Sequence, residues 1–169
     1  TEFDRAENFE KEISELEKAL NNHWLQLQKI GNQLSKERTA AAKSISPNIT
    51  AALKQLGIPD ATFLIEIEHN ADEKPGKSGF DRIYFNFSAN KGIGVQDVSK
   101  VASGGEISRI MLALKALMSH SNKFPTLIFD EIDLGISGEV AIKMGALMKE
   151  LSKAHQLVCI THLPQIAAM

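Results

Sequence analysis

Phe9, Ile13, Leu16, Leu20, His23, Leu27, Ile30 and Leu34 recur alternately four and three residues apart, the spacing of a heptad seam of about four repeats. A helix packed on a domain surface shows a similar stripe. A seam this regular asks for a partner helix, and the chain has no second stretch to fold back on it. His23 reads as a tolerated seam residue and the flanking charges as a solvated outer face. These positions predict a coiled-coil arm over 1–46. Small residues then fill Thr39 to Ser46, Pro47 marks a break, and Ile49 to Leu56 forms a short helix ending at Gly57.

Beyond Gly57 the period falls to two. Phe63, Ile65 and Ile67 alternate with Glu66 and Glu68, and Ile83, Phe85 and Phe87 alternate with Tyr84 and Asn86, predicting two half-buried strands. The charged stretch from His69 to Gly79 joins them as a hairpin loop, for which mobility is the default expectation. His69 and Asp72 lack a second histidine or cysteine at ligand spacing, so no metal site is read there. Further on, Ile107, Ile110, Met111, Leu114 and Leu117 mark the core face of one helix, and Val140, Met144, Leu147, Met148 and Leu151 that of another. The continuous apolar runs Leu127-Ile128-Phe129 and Leu157-Val158-Cys159-Ile160 look like strands buried on both faces. Strand, helix, strand from Leu127 to Ile160 predicts a right-handed βαβ unit with both strands parallel in one sheet.

Composition changes this picture little. A chain of 169 residues with 43% apolar content can bury one real core beside a helical extension. Cys159, the one cysteine, reads as a small core residue in what looks like a cytosolic protein. No run of eighteen apolar residues and no signal pattern is present, so a membrane partner is not expected. A net charge of −2 gives no overall basic character, and any nucleic-acid contact must be local or lie on another segment.

The candidate chemistry gathers at strand and helix ends. Ser103-Gly104-Gly105-Glu106 precedes the apolar helix Ile107 to Met118, and each glycine in a first turn costs about 1 kcal/mol against alanine. Bare amides holding a phosphate would explain them. Ser103 and Glu106 equally fit a capping box, which accounts for the ends of the tetrapeptide but not its middle. The strand ending in Asp130-Glu131 could aim one carboxylate at a metal and the next at a substrate, or the acids could cap the following helix. His162, just past the second strand, could meet a terminal phosphate or serve structure alone. The βαβ crossover brings Glu131 and His162 to one carboxyl edge, where open α/β sheets bind ligands.

Taken in order, these motifs resemble the second half of an ABC-type ATPase head. Ala102 to Glu106 looks like the signature motif, with Ala102 where a leucine is usual. Leu127 to Glu131 looks like Walker B, Asp133 to Gly138 like the D-loop, and Thr161-His162 like the switch-histidine loop. Over Val101 to Lys115, Phe129 to Gly138 and Ile160 to Ala168 the chain is similar specifically to the RecN family of bacterial SMC-like DNA repair ATPases. The implied fold is α/β: the C-terminal lobe of an ABC/SMC-type P-loop ATPase head, with parallel sheet, helices and β-hairpin, over 47–169.

The family's phosphate cradle has no counterpart here. Gly76-Lys77-Ser78 would need another glycine where Ala71 stands, and no later glycine completes Gly92-x-Gly94 into a dinucleotide fingerprint. A head whose first half lies outside this chain is therefore expected, and the N-terminal arm reads as its descending helix. The resemblance implies ATP and Mg²⁺ as cofactors. Asp130 would hold Mg²⁺, through water; Glu131 would polarise the attacking water; His162 would sense the γ-phosphate. Ser103, Gly104, Gly105 and Glu106 would serve the nucleotide of a partner head, and Asp133 and Ser137 would communicate across that interface. Implied partners are the N-terminal head lobe, a second head and DNA, in the bacterial cytoplasm at the nucleoid. The alternative is a coiled-coil scaffold protein carrying a vestigial ATPase domain.

Overall fold

The computed structural model describes residues 2–71, 73–118, 126–130, 132–133, 135–136 and 138–169, with side chains from residue 8 onward except that of Val101. The chain divides into two compact units, residues 1–40 with 67–82, and residues 41–66 with 83–169. Helix α1 (Glu2–Gln55) and the strands β1 (Thr62–His69) and β2 (Asp81–Ser88) contribute residues to both.

Where a break was expected, α1 runs on through Pro47. A proline inside a helix costs about 3 kcal/mol by deleting a backbone bond and crowding the preceding turn. The next turns offset this by burying Ile49, Leu53 and Leu56 in the core, each apolar side chain being worth about 1.5–3 kcal/mol. The helix does stop at Gly57 as predicted. That residue takes φ +87°, and Ile58 N–H returns to Leu53 C=O at 3.1 Å, the six-to-one bond of a Schellman end.

In the first unit, the predicted seam of α1 faces solvent, with Leu20 71% exposed. A different stripe of the helix, about a quarter turn away, receives the hairpin tip. Phe80 stacks edge-on to Trp24 with ring centroids 6.0 Å apart and lies 6.1 Å from the His69 ring. Its close approach depends on Gly31, where a Cβ would fall 2.2 Å from a Phe80 ring carbon. Polar contacts fasten the same face. The Asp81 carboxylate accepts from Arg38 Nη1 and from His69 Nδ1, each at 2.7 Å, and His69 Nε2 lies 2.7 Å from Asn32 Oδ1. Arg38 also donates to Ser78 C=O at 2.8 Å, and Gln28 to Ala71 C=O at 3.2 Å. The stretch expected to be loose is thus tied to the helix at several points. Burial of Asp81 works to raise its pKa, but hydrogen bonds from Arg38, His69 and Ser35 outweigh it and hold the carboxyl below its ordinary range. Asp72 lies outside the described residues.

The second unit holds the main core. A three-stranded sheet is ordered β1, β2 and β3 (Gln96–Asp97), with β3 antiparallel to β2 in the register Asn86 to Asp97 and Phe87 to Gln96. The edge strand β1 would leave backbone groups unpaired, and hydroxyls of α1 meet them. Ser46 Oγ accepts from Ile65 N–H at 3.0 Å, and Thr50 Oγ1 from Phe63 N–H at 3.0 Å. Helices α2 (Val98–Val101) and α3 (Gly104–Met118) follow, the first capped by the Asp97 side chain at 2.9 Å from Ser99 N–H. Then come β4 (Thr126–Phe129), α4 (Gly138–Ser152), β5 (Gln156–Cys159) and the short α5 (Pro164–Ala167). Strands β4 and β5 are parallel, with Phe129 opposite Cys159, as the βαβ reading predicts.

Two burial expectations are corrected. β4 and β5 are covered on one face only, through Leu127 and Phe129, while Ile128 is 69% and Ile160 58% exposed. No described element lies over that second face. On α3 the buried residues are Gly105, Arg109, Ile110, Leu112 and Ala113, whereas Ile107, Met111 and Leu117 are exposed. The helix is apolar nearly all round, so periodicity alone could not select its buried side. Its open side joins Phe63, Ile83 and Phe85 around an apolar cavity of about 440 Å³, leaving Ile83 and Phe85 more exposed than half-buried strands predict.

Candidate functional site

Ser103 and Glu106 form a reciprocal capping box at the start of α3. Ser103 N–H and Oγ–H donate to Glu106 Oε2 at 2.7 and 2.9 Å, and Glu106 N–H reaches Ser103 Oγ at 3.4 Å. The first intrahelical bond follows, from Ile107 N–H to Ser103 C=O at 2.9 Å. Gly104 and Gly105 occupy the turn between, where the helix geometry leaves amides without carbonyl partners of their own. One turn further on, Ser108 Oγ–H donates to the Asp130 carbonyl at 3.1 Å, joining α3 to the end of β4.

The parallel register continues past the strands. Ile160 N–H donates to Phe129 C=O at 2.9 Å, so the chain leaves β4 at Asp130 and β5 at Thr161-His162 along one edge. Asp130 is exposed there. Glu131 and Ser137 lie outside the described residues. Asp133 is buried, 2% exposed, and its Oδ2 gathers three groups from the neighbouring loop: the Thr161 hydroxyl, His162 N–H at 2.9 Å and His162 Nδ1 at 3.3 Å. Burial presses the Asp133 pKa upward, but the Thr161 hydroxyl, the backbone amides and the His162 ring outweigh it and keep the carboxyl ionised. The His162 side chain is 68% exposed.

Asp133 belongs to the loop expected at an interface, and within this chain its carboxylate turns inward to the loop after β5. Thr161 is the contributor that residue-by-residue reading missed; a hydroxyl immediately after an apolar strand was its only signal. Cys159, expected in the core, is half-buried on β5, and burial together with Asp133 and Asp130 raises its thiol pKa.

Among the described residues, no group of three or more histidines, cysteines, aspartates or glutamates converges to hold a metal. A single exposed carboxylate at a strand end is nonetheless a donor that fits Mg²⁺, which keeps several waters and takes its other ligands from phosphates. No helix among the described residues is long and apolar enough to cross a membrane.

No family model matches the chain. It is 42% identical over 142 residues to the DNA repair protein RecN of Haemophilus influenzae, covering 84% of this chain and 25% of that protein. It is 43% identical over 169 residues to the DNA repair protein RecN of Rickettsia prowazekii, covering 95% of this chain and 30% of that one. The chain thus spans between a quarter and a third of the length of these relatives. Among solved structures it is similar to the Smc head domain with an extended coiled coil from Pyrococcus furiosus, bound there to the C-terminal domain of ScpA. The TM-score is 0.56 at 25% identity, over 81% of this chain and 33% of that one. A second head, bound to the C-winged helix domain of ScpA, shares the fold with TM-score 0.53 over 86% of this chain and 43% of that chain, at 24% identity.

Proposed function

Over the stretch it spans, this chain is RecN-like in sequence and the C-terminal lobe of an SMC head in fold, and on that premise we propose that it serves an ATP-driven DNA repair machine. It supplies the signature, Walker B and switch-histidine surfaces of an ATPase head, in the cytoplasm at the nucleoid. The observation that carries this reading is the common edge of β4 and β5, where Asp130 and the loop holding His162 leave the sheet together.

Asp130 would hold Mg²⁺, which would supply neutralisation of phosphate charge. Glu131 orients and polarises the attacking water, and His162 meets the γ-phosphate. Phosphoryl transfer is catalysed chiefly by positioning and charge, so the phosphate cradle can come from a different segment of the protein. The open face of the β4–β5 sheet, with Ile128 and Ile160 uncovered, supports an N-terminal head lobe as that segment's home. Ser103, Gly104, Gly105 and Glu106 face the nucleotide of a second head across a homodimer, with Ser137 at the same interface. ATP then joins two heads, its hydrolysis parts them, and DNA is the substrate on which the cycle acts.

Kinetics of the full-length protein test the assignment. Glu131→Gln is expected to slow hydrolysis while prolonging head pairs, whereas Ser103→Arg is expected to leave ATP bound and prevent pairing. Loss of ATP binding to a single head in Ser103→Arg would refute the assignment in trans. The exposed seam of α1 also favours a second reading, a scaffold that recruits a partner helix through the arm while its ATPase motifs lie idle. Light scattering with circular dichroism separates the two: an autonomous zipper dimerises through the arm, and a helix awaiting an antiparallel mate from its own protein does not.

A further inference from the structure

We propose that Asp133 is the positioning residue of His162, fixing both the loop after β5 and the proton on the ring's Nδ1. The inference stands on one buried oxygen that accepts from the Thr161 hydroxyl and the His162 amide and lies 3.3 Å from His162 Nδ1. Thr161 Oγ accepts Leu163 N–H at 3.1 Å, so its own hydrogen is free to point at Asp133. His162 N–H reaches the same Oδ2 at 2.9 Å. An ionised carboxylate only accepts, so the approach of Nδ1 to 3.3 Å is favourable only with hydrogen on that nitrogen. The neutral ring is thereby held as the Nδ1–H tautomer, with Nε2 left to deal with whatever meets this exposed side chain.

The order Asp130-Glu131-Ile132-Asp133 contains two aspartates of opposite duty. Asp130 faces solvent at the strand end, while Asp133, three residues on, turns inward to the loop of the following strand. The consequence for hydrolysis rests on the nucleotide reading above, but the positioning itself does not.

The test is the tautomer. Two-bond ¹H–¹⁵N correlation spectra of the ¹⁵N-histidine-labelled chain, with His162 assigned through His162→Gln, are expected to show Nδ1–H for the neutral ring in the wild type. Asp133→Asn is expected to shift it toward Nε2–H, while Thr161→Val, which leaves the carboxylate, preserves Nδ1–H. A wild-type ring already in the Nε2–H form would overturn the proposal even if Asp133→Asn failed to fold. So would an unchanged tautomer in a folded Asp133→Asn. In full-length protein the same substitution is expected to lower kcat at least tenfold with KM for ATP little changed. A tautomer that responds while hydrolysis does not would leave the positioning intact and remove His162 from the ATPase reading.

Discussion

Asp81 and Asp133 are both buried, and both stay ionised because donors from distant segments reach them. Their pKa values are lower folded than unfolded, so the stability they contribute is complete above the ordinary value near 3.9 and drains as pH falls through the folded value. Acid should therefore loosen the hairpin tip below about pH 4, as the Asp81 carboxylate takes up a proton. Trp24, the only tryptophan and a neighbour of Phe80, reports this directly by fluorescence. Asp81→Ala is expected to cost about 1.5–3 kcal/mol at neutral pH, the scale of hydrogen bonds to charged groups, measured by urea unfolding at the Trp24 signal. None of these roles was legible residue by residue. No metal site was read at His69, and its actual partners, Asn32 and Asp81, lie 37 and 12 positions away, beyond the reach of local spacing. Asp133 was named through its resemblance to the D-loop, and neither that nor the spacing of acids after a strand reveals that its carboxylate turns inward.

Elements were easier to read than side chains. The parallel β4–β5 pair, α4 between them and the Gly57 stop all follow from periodicity and glycine chemistry. Pro47 misled because a local rule lost to burial: the turns beyond it carry Ile49 and Leu53 into the core. Pro47→Ala should accordingly restore a backbone bond to the Lys43 carbonyl and stabilise the second unit by about 1–3 kcal/mol, seen as a higher urea midpoint. Gly31→Ala has the opposite expected sign. Alanine gains about 1 kcal/mol in helix propensity, but its Cβ would sit 2.2 Å from the Phe80 ring, and overpacking of that kind costs about 1–3 kcal/mol. The net loss should appear as faster amide exchange at the hairpin tip with α1 still helical. The same close approach explains why a heptad seam was visible in the sequence while the second stripe of α1, built from Trp24, Gln28, Gly31, Ser35 and Arg38, was not: only its first residue is large and apolar.

At the scale of the molecule, the misjudged positions share a cause. Ile128, Ile160, Ile107 and Met111 are apolar yet open, because a pattern of residues records the tendency to be buried without recording by what. The seam of α1 is open in the same way. Titration of ATP and Mg²⁺ into the isolated chain should therefore give no affinity tighter than about millimolar, since a site without its cradle forgoes several kcal/mol. Micromolar binding by calorimetry would refute the split site. The closed box between Ser103 and Glu106 adds a threshold of its own. Its carboxylate already brings negative charge to the start of α3, and on the proposed reading a nucleotide phosphate arriving at the Gly104 and Gly105 amides would meet that charge. On that reading a lone nucleotide would be disfavoured there, and an anion presented by an already docked head would be the one to overcome the repulsion.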